Sequence, residues 1–530
     1  MLKQTFLKGS CAIRALAFAG AMLAPAMGNA GEVTLKSSDG SVNLVGEFLT
    51  FEENTYVIRT ALGELRISAA RVRCEGDSCP VFETTQADVI IAGSDTVGLG
   101  VMPLLLQGYA GYLDAEAVVT ATSNESELLA ELIGDQGFGD PVGKYLVSST
   151  ASGDAFKKLL DGSTEIGMAS RRIKPAEARS LRDAGAGNMI SPQQEHIVAV
   201  DSLVVITHPN NPVSQLTTAQ LADIFAGRIT NWSEVGGEDA PITLMDRQDG
   251  SGTRSVFAKA VFGNDGPDQL PSAIVQTDNN AMAAAVNADP HAIGYVSYAF
   301  QRGAKAVPLV NECGITMVPD AFSARTEEYA LQRRLYLYNR GDKLSETSQS
   351  FLDYALSADA DGVIAKSGFI GLGIARRPMP LDGARARSLL DPNADAFEGG
   401  VMREMLGTMV DYDRLSTTFR FNTGSSRLDE RARLDMARLV DYLGSQPEGT
   451  QVTLVGFTDN VGAFASNRDL SERRAVQVLQ ELQNASGGAL ANIELAAAGY
   501  GEVAPSACNT AETGRRINRR VEVWINSPDA

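Results

Sequence analysis

Histidine is nearly absent: His196, His208 and His291 are the only three in 530 residues. They lie far apart and beside strand-like runs, a poor basis for a catalytic triad or a metal cluster. No Walker-type phosphate loop occurs, and Gly250-Ser251-Gly252 lacks the glycine spacing of a nucleophile elbow. Beyond the first thirty residues no run is long and apolar enough to cross a bilayer. Positive charge is also short, with 46 Lys and Arg against 65 Asp and Glu, a net −19. That balance argues against a nucleic-acid partner. It also repels small anions at long range, so any anion site must act through local dipoles and hydrogen bonds.

The first thirty residues have the pattern of a secretory signal peptide. Lys3, Lys8 and Arg14 supply the positive end, Ala15 to Ala26 the short apolar stretch, and Gly28-Asn29-Ala30 the small residues for cleavage. Loss of that leader leaves 43 basic residues against 65 acidic ones, a net −22, in a soluble chain outside the cytoplasm. Four cysteines remain. Cys74 and Cys79 close a very short loop that an oxidising compartment favours as a disulfide. Zinc is the rival reading, but no histidine or second cysteine pair lies nearby. Cys313 and Cys508 fall in different expected domains and are read as buried or free thiols rather than a bridge.

A chain of this length needs about three to four domains. Residues 31–84 read as a small β module, with strands expected at Val33–Lys36, Val42–Phe51, Tyr56–Thr60 and Glu64–Val72. Residues 85–378 alternate apolar strand-like runs with helical periods, the α/β pattern, with one long helix expected at Glu346–Lys366. Proline and paired glycines make 379–412 linker-like, with one short helix at 401–410. Residues 413–530 form a compact α/β unit, with strands at Thr417–Phe421, Gln451–Gly456, Glu494–Ala498 and Arg520–Ile525. Its helices fall at Leu428–Leu443 and Leu470–Leu482.

Arg247-Gln-Asp-Gly-Ser-Gly-Thr253 carries the most chemistry. Glycines and short hydroxyl side chains let backbone N–H groups approach a ligand. A helix starting at Ser251 offers free N–H groups to an anion, and Arg247 adds a planar cationic fork suited to oxyanions. Four further stretches accompany it: Gly93-Ser-Asp-Thr96, Ile166-Gly-Met-Ala-Ser-Arg171, Leu216–Gly237 and Ala292-Ile-Gly-Tyr-Val296. In that order the five resemble the phosphate-binding PstS-type receptors of ABC transporters.

The resemblance implies a two-lobed α/β periplasmic-binding fold that traps phosphate or a related oxyanion in its cleft. It places Thr96, the Val97 N–H, Ser152, Ser170 and Arg171 on one lobe, and Arg247, Ser251, Gly252 and Thr253 on the other. Asp249 is expected to orient Arg247. Some receptors carry a carboxylate after the Ser170 position, to accept the proton of bound phosphate. This chain has Arg171 there, so either Asp95 takes the acceptor role or the site prefers another oxyanion. Residues 123–145 look inserted and are expected to reshape the cleft.

Residues 413–530 resemble the peptidoglycan-binding domain of OmpA-type proteins, through Phe421-Asn422, Gly456-Phe-Thr-Asp459, Asn467, Leu470-Ser-Glu-Arg-Arg474-Ala475, Gly499-Tyr-Gly501 and Asn518-Arg-Arg-Val-Glu522. The implied ligand is the diaminopimelate of the wall peptide. Asp459 would take its ammonium, Arg474 its carboxylate, and Asn467 a further hydrogen bond. Arg519 and Arg520 are expected on a solvated strand face. Together the two resemblances imply a periplasmic phosphate receptor, without enzymatic activity, cofactor or metal. It is tethered to peptidoglycan, near the outer membrane of a Gram-negative cell, with an ABC transporter permease as a further partner. The alternatives are a phosphate-ester hydrolase built on the same anion site, and a structural wall protein whose receptor fold no longer binds.

Overall fold

A computed structural model describes residues 31–528 apart from 38–41, 53–54, 69–71, 77, 81–86, 123, 125, 264–272, 318, 391–393 and 422–429. The expected leader and Asn422 lie outside the described residues. The strands β1 (Glu32–Lys36), β2 (Asn43–Glu52), β3 (Thr55–Thr60), β4 (Gly63–Ser68) and β5 (Arg73–Glu75) form an antiparallel sheet in the order β4-β3-β2-β1-β5. Of the expected fourth strand the described residues show Gly63–Ser68, and a fifth strand, carrying Cys74, pairs with β1. Cys74 and Cys79 are joined by a disulfide.

The α/β segment is built on one large sheet. Its strands are β6 (Val89–Ser94), β7 (Glu116–Ala121), β8 (Glu127–Ile133), β9 (Pro141–Thr150), β10 (Ile166–Ala169), β11 (Glu195–Thr207), β12 (Thr243–Arg247), β13 (Ile274–Gln276), β14 (Ala292–Ser297) and β15 (Gln332–Asn339). Their order is β13-β12-β14-β11-β15-β10-β6-β9-β8-β7. The long antiparallel pair β11 and β15 crosses between the two lobes: β11 pairs β14 at one end and β15 at the other. Successive residues of β11 face opposite ways. Val204 and Ile206 join an apolar cluster that runs under both lobes, whereas Leu203 and Val205 join one confined to the second lobe.

Residues 127–150 make an antiparallel pair, β8 and β9, near the outer edge of the sheet. With β10, β6 and β9 between β8 and the crossing strands, the described part of the expected insertion at 123–145 supplies β8 and the start of β9 on the outer side of the first lobe. The single helix expected at Glu346–Lys366 is two, Glu346–Leu356 and Ala358–Lys366. Ser357 between them is extended (φ −75°, ψ 165°), and its hydroxyl donates to the Tyr354 carbonyl.

The C-terminal sheet has the order β16-β17-β20-β18-β19, from β16 (Arg376–Arg377), β17 (Asp413–Arg420), β18 (Gln451–Phe457), β19 (Glu494–Gly499) and β20 (Arg520–Asn526). The helices Glu430–Gly444 and Phe464–Ser486 cover one face through Ala432, Met436, Leu439, Leu443, Val478 and Leu482. The segment expected as a linker covers the other. Its helix Ala396–Met409 buries Val401, Met405 and Met409, one helical turn apart, against Val455, Phe457, Tyr500 and Trp524. Apolar residues at that spacing outweigh the local proline and glycine signals.

Cys313 and Cys508, expected as thiols, form a disulfide between the second lobe and the C-terminal unit. Ion pairs reinforce it. Arg414 grips Glu328 with two nitrogens, at 2.8 and 3.1 Å, and Arg438 reaches Asp361 at 3.2 Å. Among the described residues no helix is long and apolar enough to cross a membrane.

Candidate functional site

Four chain starts converge between the lobes. From the first lobe come the π-helical turn Thr96–Val101, which runs into α1 (Met102–Tyr112), and α2 (Ser152–Asp161). From the second come α3 (Gly252–Phe262), capped by the Ser251 hydroxyl accepting from Arg254 N–H, and α4 (Asn279–Ala288). Helix starts present free N–H groups and the positive end of the helix dipole. Thr96, Val97, Ser152, Ser170, Arg247, Ser251 and Thr253 are all buried there.

The lobes touch closely at this point. Thr96 Oγ1 lies 3.3 Å from Thr253 Oγ1, and Ser152 Oγ lies 3.2 Å from Ser170 Oγ. Gly252 sits directly over the two serines. A Cβ there would fall 2.2 Å from Ser170 Oγ and 2.3 Å from Ser152 Oγ, so the position admits no side chain.

Arg247 ends β12 and is 0% exposed. Its Nη2 donates to Asp95 Oδ2 at 3.0 Å and to the Thr277 carbonyl at 3.1 Å. Its Nε and Nη1, together with Asp95 Oδ1, have no protein partner. A buried donor or acceptor left unmade costs about 1–3 kcal/mol, and more for a charged group. Two cationic donors and one anionic acceptor are thus left for a ligand that can both accept and donate.

Asp249, expected to orient Arg247, is exposed and takes no part, because the loop turns it outward. Asp95, from the other lobe, holds Arg247 instead. Arg171, expected to face the ligand, turns to Glu177, with Nη2 at 2.7 Å and Nη1 at 2.9 Å from its carboxylate oxygens. The guanidinium lies over the Phe156 ring, 5.2 Å from its centre, so its charge is committed within the first lobe.

Sequence reasoning missed Asn279 and Arg333. Asn279 Nδ2 donates to Asp95 Oδ2 at 3.1 Å and to Thr96 Oγ1 at 3.0 Å. Arg333, on the crossing strand β15, donates to Thr253 Oγ1 at 2.8 Å and to Thr96 Oγ1 at 3.3 Å. Its neighbour across the strand pair, Asp201, accepts from it at 2.7 Å and from Ser297 Oγ at 2.8 Å. Burial raises the Asp201 carboxyl above its ordinary value, although Arg333 opposes the shift. Burial likewise lowers the Arg333 guanidinium, against the pull of Asp201. A sequence signal for the pair existed: Asp201 interrupts the apolar run Ile197–Ile206.

A second constellation lies at the end of β18. Asp459 Oδ2 accepts from Arg519 Nη1 at 2.7 Å, and Asn467 Nδ2 donates to the Asp459 carbonyl at 3.3 Å and to Glu502 at 2.5 Å. Arg474, on the helix Phe464–Ser486, lies 5.2 Å from the centre of the Phe421 ring, and its Nη1 has no protein partner. Burial and the nearby Arg519 lower its guanidinium, while Asp459 acts the other way. Arg519 and Arg520 are not on a solvated face. Arg519 bridges Asp459 and Glu512, and the 0% exposed Arg520 pairs with Glu522 at 2.7 Å and stacks on Phe457. The buried carboxylate of Glu522 is what draws Arg520 inward.

A model of the PBP superfamily domain matches residues 83–359, more than half of the chain. The chain belongs to the PBP superfamily. A model of the OmpA family matches residues 420–519. The phosphate-binding protein PstS of Bacillus subtilis is 28% identical over 235 residues, spanning 44% of this chain and 72% of that protein. Outer membrane porin F of Pseudomonas aeruginosa is 38% identical over 114 residues, 22% of this chain and 32% of that protein. A solved structure of an ABC-type phosphate transport receptor from Vibrio cholerae is 24% identical, with a TM-score of 0.39, and the match covers 53% of this chain and 99% of that one. Within the PBP superfamily match lie Asp95, Thr96, Ser152, Ser170, Arg247, Thr253, Asn279 and Arg333. Asp459, Asn467, Arg474 and Arg519 lie within the OmpA match.

Proposed function

We propose that the chain is a receptor for inorganic phosphate, held at the cell wall by its OmpA-type domain. The observation that carries the phosphate reading is the set of unpartnered atoms in the sealed cleft: Arg247 Nε and Nη1 beside Asp95 Oδ1, ringed by hydroxyls. Two guanidinium donors match the oxygens of a tetrahedral oxyanion. A carboxylate oxygen beside them suits an anion that carries a proton, as phosphate does near neutral pH and sulfate does not. The similarity to the PstS protein of B. subtilis, whose name states phosphate binding, supports the same ligand.

On this reading the site binds an anion and does no chemistry on it. His196 bonds Asn339 at 2.7 Å and the His208 ring accepts from Asn210 N–H, so neither imidazole serves the hydroxyls of the cleft as a base. On this reading Thr96, Ser152, Ser170, Arg247, Ser251, Gly252 and Thr253 hold the anion, with the Val97 N–H, and closure of the lobes traps it. Isothermal titration of the full chain with phosphate, sulfate and molybdate tests it. Phosphate is expected to bind, and Arg247→Ala to remove binding; unchanged binding by that variant refutes the site.

The OmpA match supports peptidoglycan as the second partner. Asp459 and Arg474 place an anion beside a cation with an unpartnered Nη1, which suits the ammonium and carboxylate of diaminopimelate. The chain then works in the periplasm, anchored to the wall near the outer membrane and passing phosphate to an ABC transporter permease. Purified sacculi are expected to retain the wild type and release Asp459→Ala/Arg474→Ala; equal retention excludes this pair as the anchor.

A further inference from the structure

We infer that Arg333 is a positioning residue for anion binding: it fixes the Thr96 and Thr253 hydroxyls as hydrogen donors into the cleft. The inference rests on the receptor reading above. Arg333 is 3% exposed and stands on a crossing strand, below the point where the lobes meet. One guanidinium fork spans both jaws, with Nη1 on Thr253 Oγ1 at 2.8 Å and Nη2 on Thr96 Oγ1 at 3.3 Å. Nε and Nη2 lie on Asp201 Oδ2, at 2.8 and 2.7 Å, which fixes the plane of the fork.

A hydroxyl has one hydrogen and two lone pairs. Thr96 Oγ1 receives N–H groups from both Asn279 and Arg333, so both lone pairs are occupied. Its hydrogen is then available only for donation. Thr253 Oγ1 receives Arg333 Nη1 and keeps its hydrogen as well. The two hydroxyls stand 3.3 Å apart, a long pair in which one can donate to the other and which a charged acceptor would displace. Both hydrogens therefore suit a shared acceptor lying between the lobes.

Without Arg333 each hydroxyl could rotate and present a lone pair to the anion, which repels it. The guanidinium also polarises both O–H bonds towards donation. All three Arg333 guanidinium nitrogens have protein partners, so its effect on binding passes through Thr96 and Thr253.

The test is titration with inorganic phosphate. Removing Arg333 alone strands Asp201 in the interior, so the pair is removed together, as Asp201→Asn/Arg333→Met. This variant is compared with Thr253→Val and with the triple combination. Affinity is expected to fall about tenfold or more in each, the worth of a charge-assisted hydrogen bond. The combined loss is expected to fall well short of the product of the two, because both changes remove the same oriented hydrogen. Wild-type affinity in the pair variant, or losses that multiply, overturns the inference and leaves the receptor reading standing. A wild type that binds no phosphate overturns both. If circular dichroism shows the pair variant unfolded, Arg333→Lys decides. It keeps the charge but not the fork, and a loss of about fivefold is expected; wild-type affinity there overturns the inference.

Discussion

At the residue scale, the site is a set of hydroxyls and backbone N–H groups around the Arg247 guanidinium, whose Nε and Nη1 have no protein partner. That Thr96, Ser152, Ser170 and Thr253 come together with Arg247 was legible because hydroxylated residues at or near helix starts, and an arginine at a strand end before one, leave a local trace. Asp249 was misassigned because it is a neighbour of Arg247 in sequence and not in space. Arg333 and Asn279 left no local trace, since the strand pairing and the packing of a distant helix bring them in. Asp95 is the residue whose substitution says most about selectivity. Its free Oδ1 repels a fully deprotonated anion, and juxtaposed like charges cost several kcal/mol. In Asp95→Asn, competition titrations are expected to show the preference for phosphate over sulfate falling about tenfold or more. An unchanged ratio would remove Asp95 as the selector.

At the element scale, the start of α3 packs onto the start of α2 with Gly252 at the contact, and the proposed closure of the lobes would make and break that contact. In Gly252→Ala the added methyl meets Ser152 Oγ and Ser170 Oγ in the closed cleft but has room once the lobes part. Phosphate affinity is expected to fall about tenfold or more with little change in melting temperature, since overpacking costs typically about 1–3 kcal/mol. Calorimetric titration and a thermal melt separate the two effects; a large loss of stability with intact affinity would contradict this view of closure. Most elements were legible from their periods, because an amphipathic helix or an alternating strand must bury its apolar side. The exceptions are a local side-chain bond in one case and tertiary packing in the other. Ser357 splits a continuous apolar pattern, and Val401, Met405 and Met409 hold a proline-flanked, glycine-containing segment as a helix. Met405→Ala is accordingly expected to cost about 2–5 kcal/mol in chemical denaturation.

At the scale of the whole molecule, the C-terminal unit is locked to the PBP superfamily domain by the Cys313–Cys508 disulfide and by buried ion pairs. The bridge was not legible because its halves stand 195 residues apart, in segments with separate patterns. Glu328 carries a pH signature. Burial pushes its carboxyl up, but Arg414 and Arg520 outweigh that and bring it down from 4.5 to about 2. A carboxyl whose value is lower in the folded chain adds stability that is present above the unfolded value of 4.5. That contribution fades as pH falls towards 2. Acid is therefore expected to loosen the C-terminal unit across this window, and Glu328→Gln to flatten the pH dependence of its melting. In Cys313→Ser/Cys508→Ser, where the staple is gone and the ion pairs carry more of the contact, the acid loss is expected to be steeper by calorimetry. Identical curves would assign the joint to apolar packing alone.

The central claim, a phosphate site at Arg247 and Asp95, is tested most directly by anomalous diffraction from crystals of the full chain soaked in arsenate, the heavier analogue of phosphate. One anomalous peak is expected in the cleft, within hydrogen-bond distance of Arg247 Nε and Nη1 and Asp95 Oδ1, with the Thr96 and Thr253 hydroxyls turned towards it. A cleft without a peak at saturating arsenate, or a peak only elsewhere, would contradict the claim.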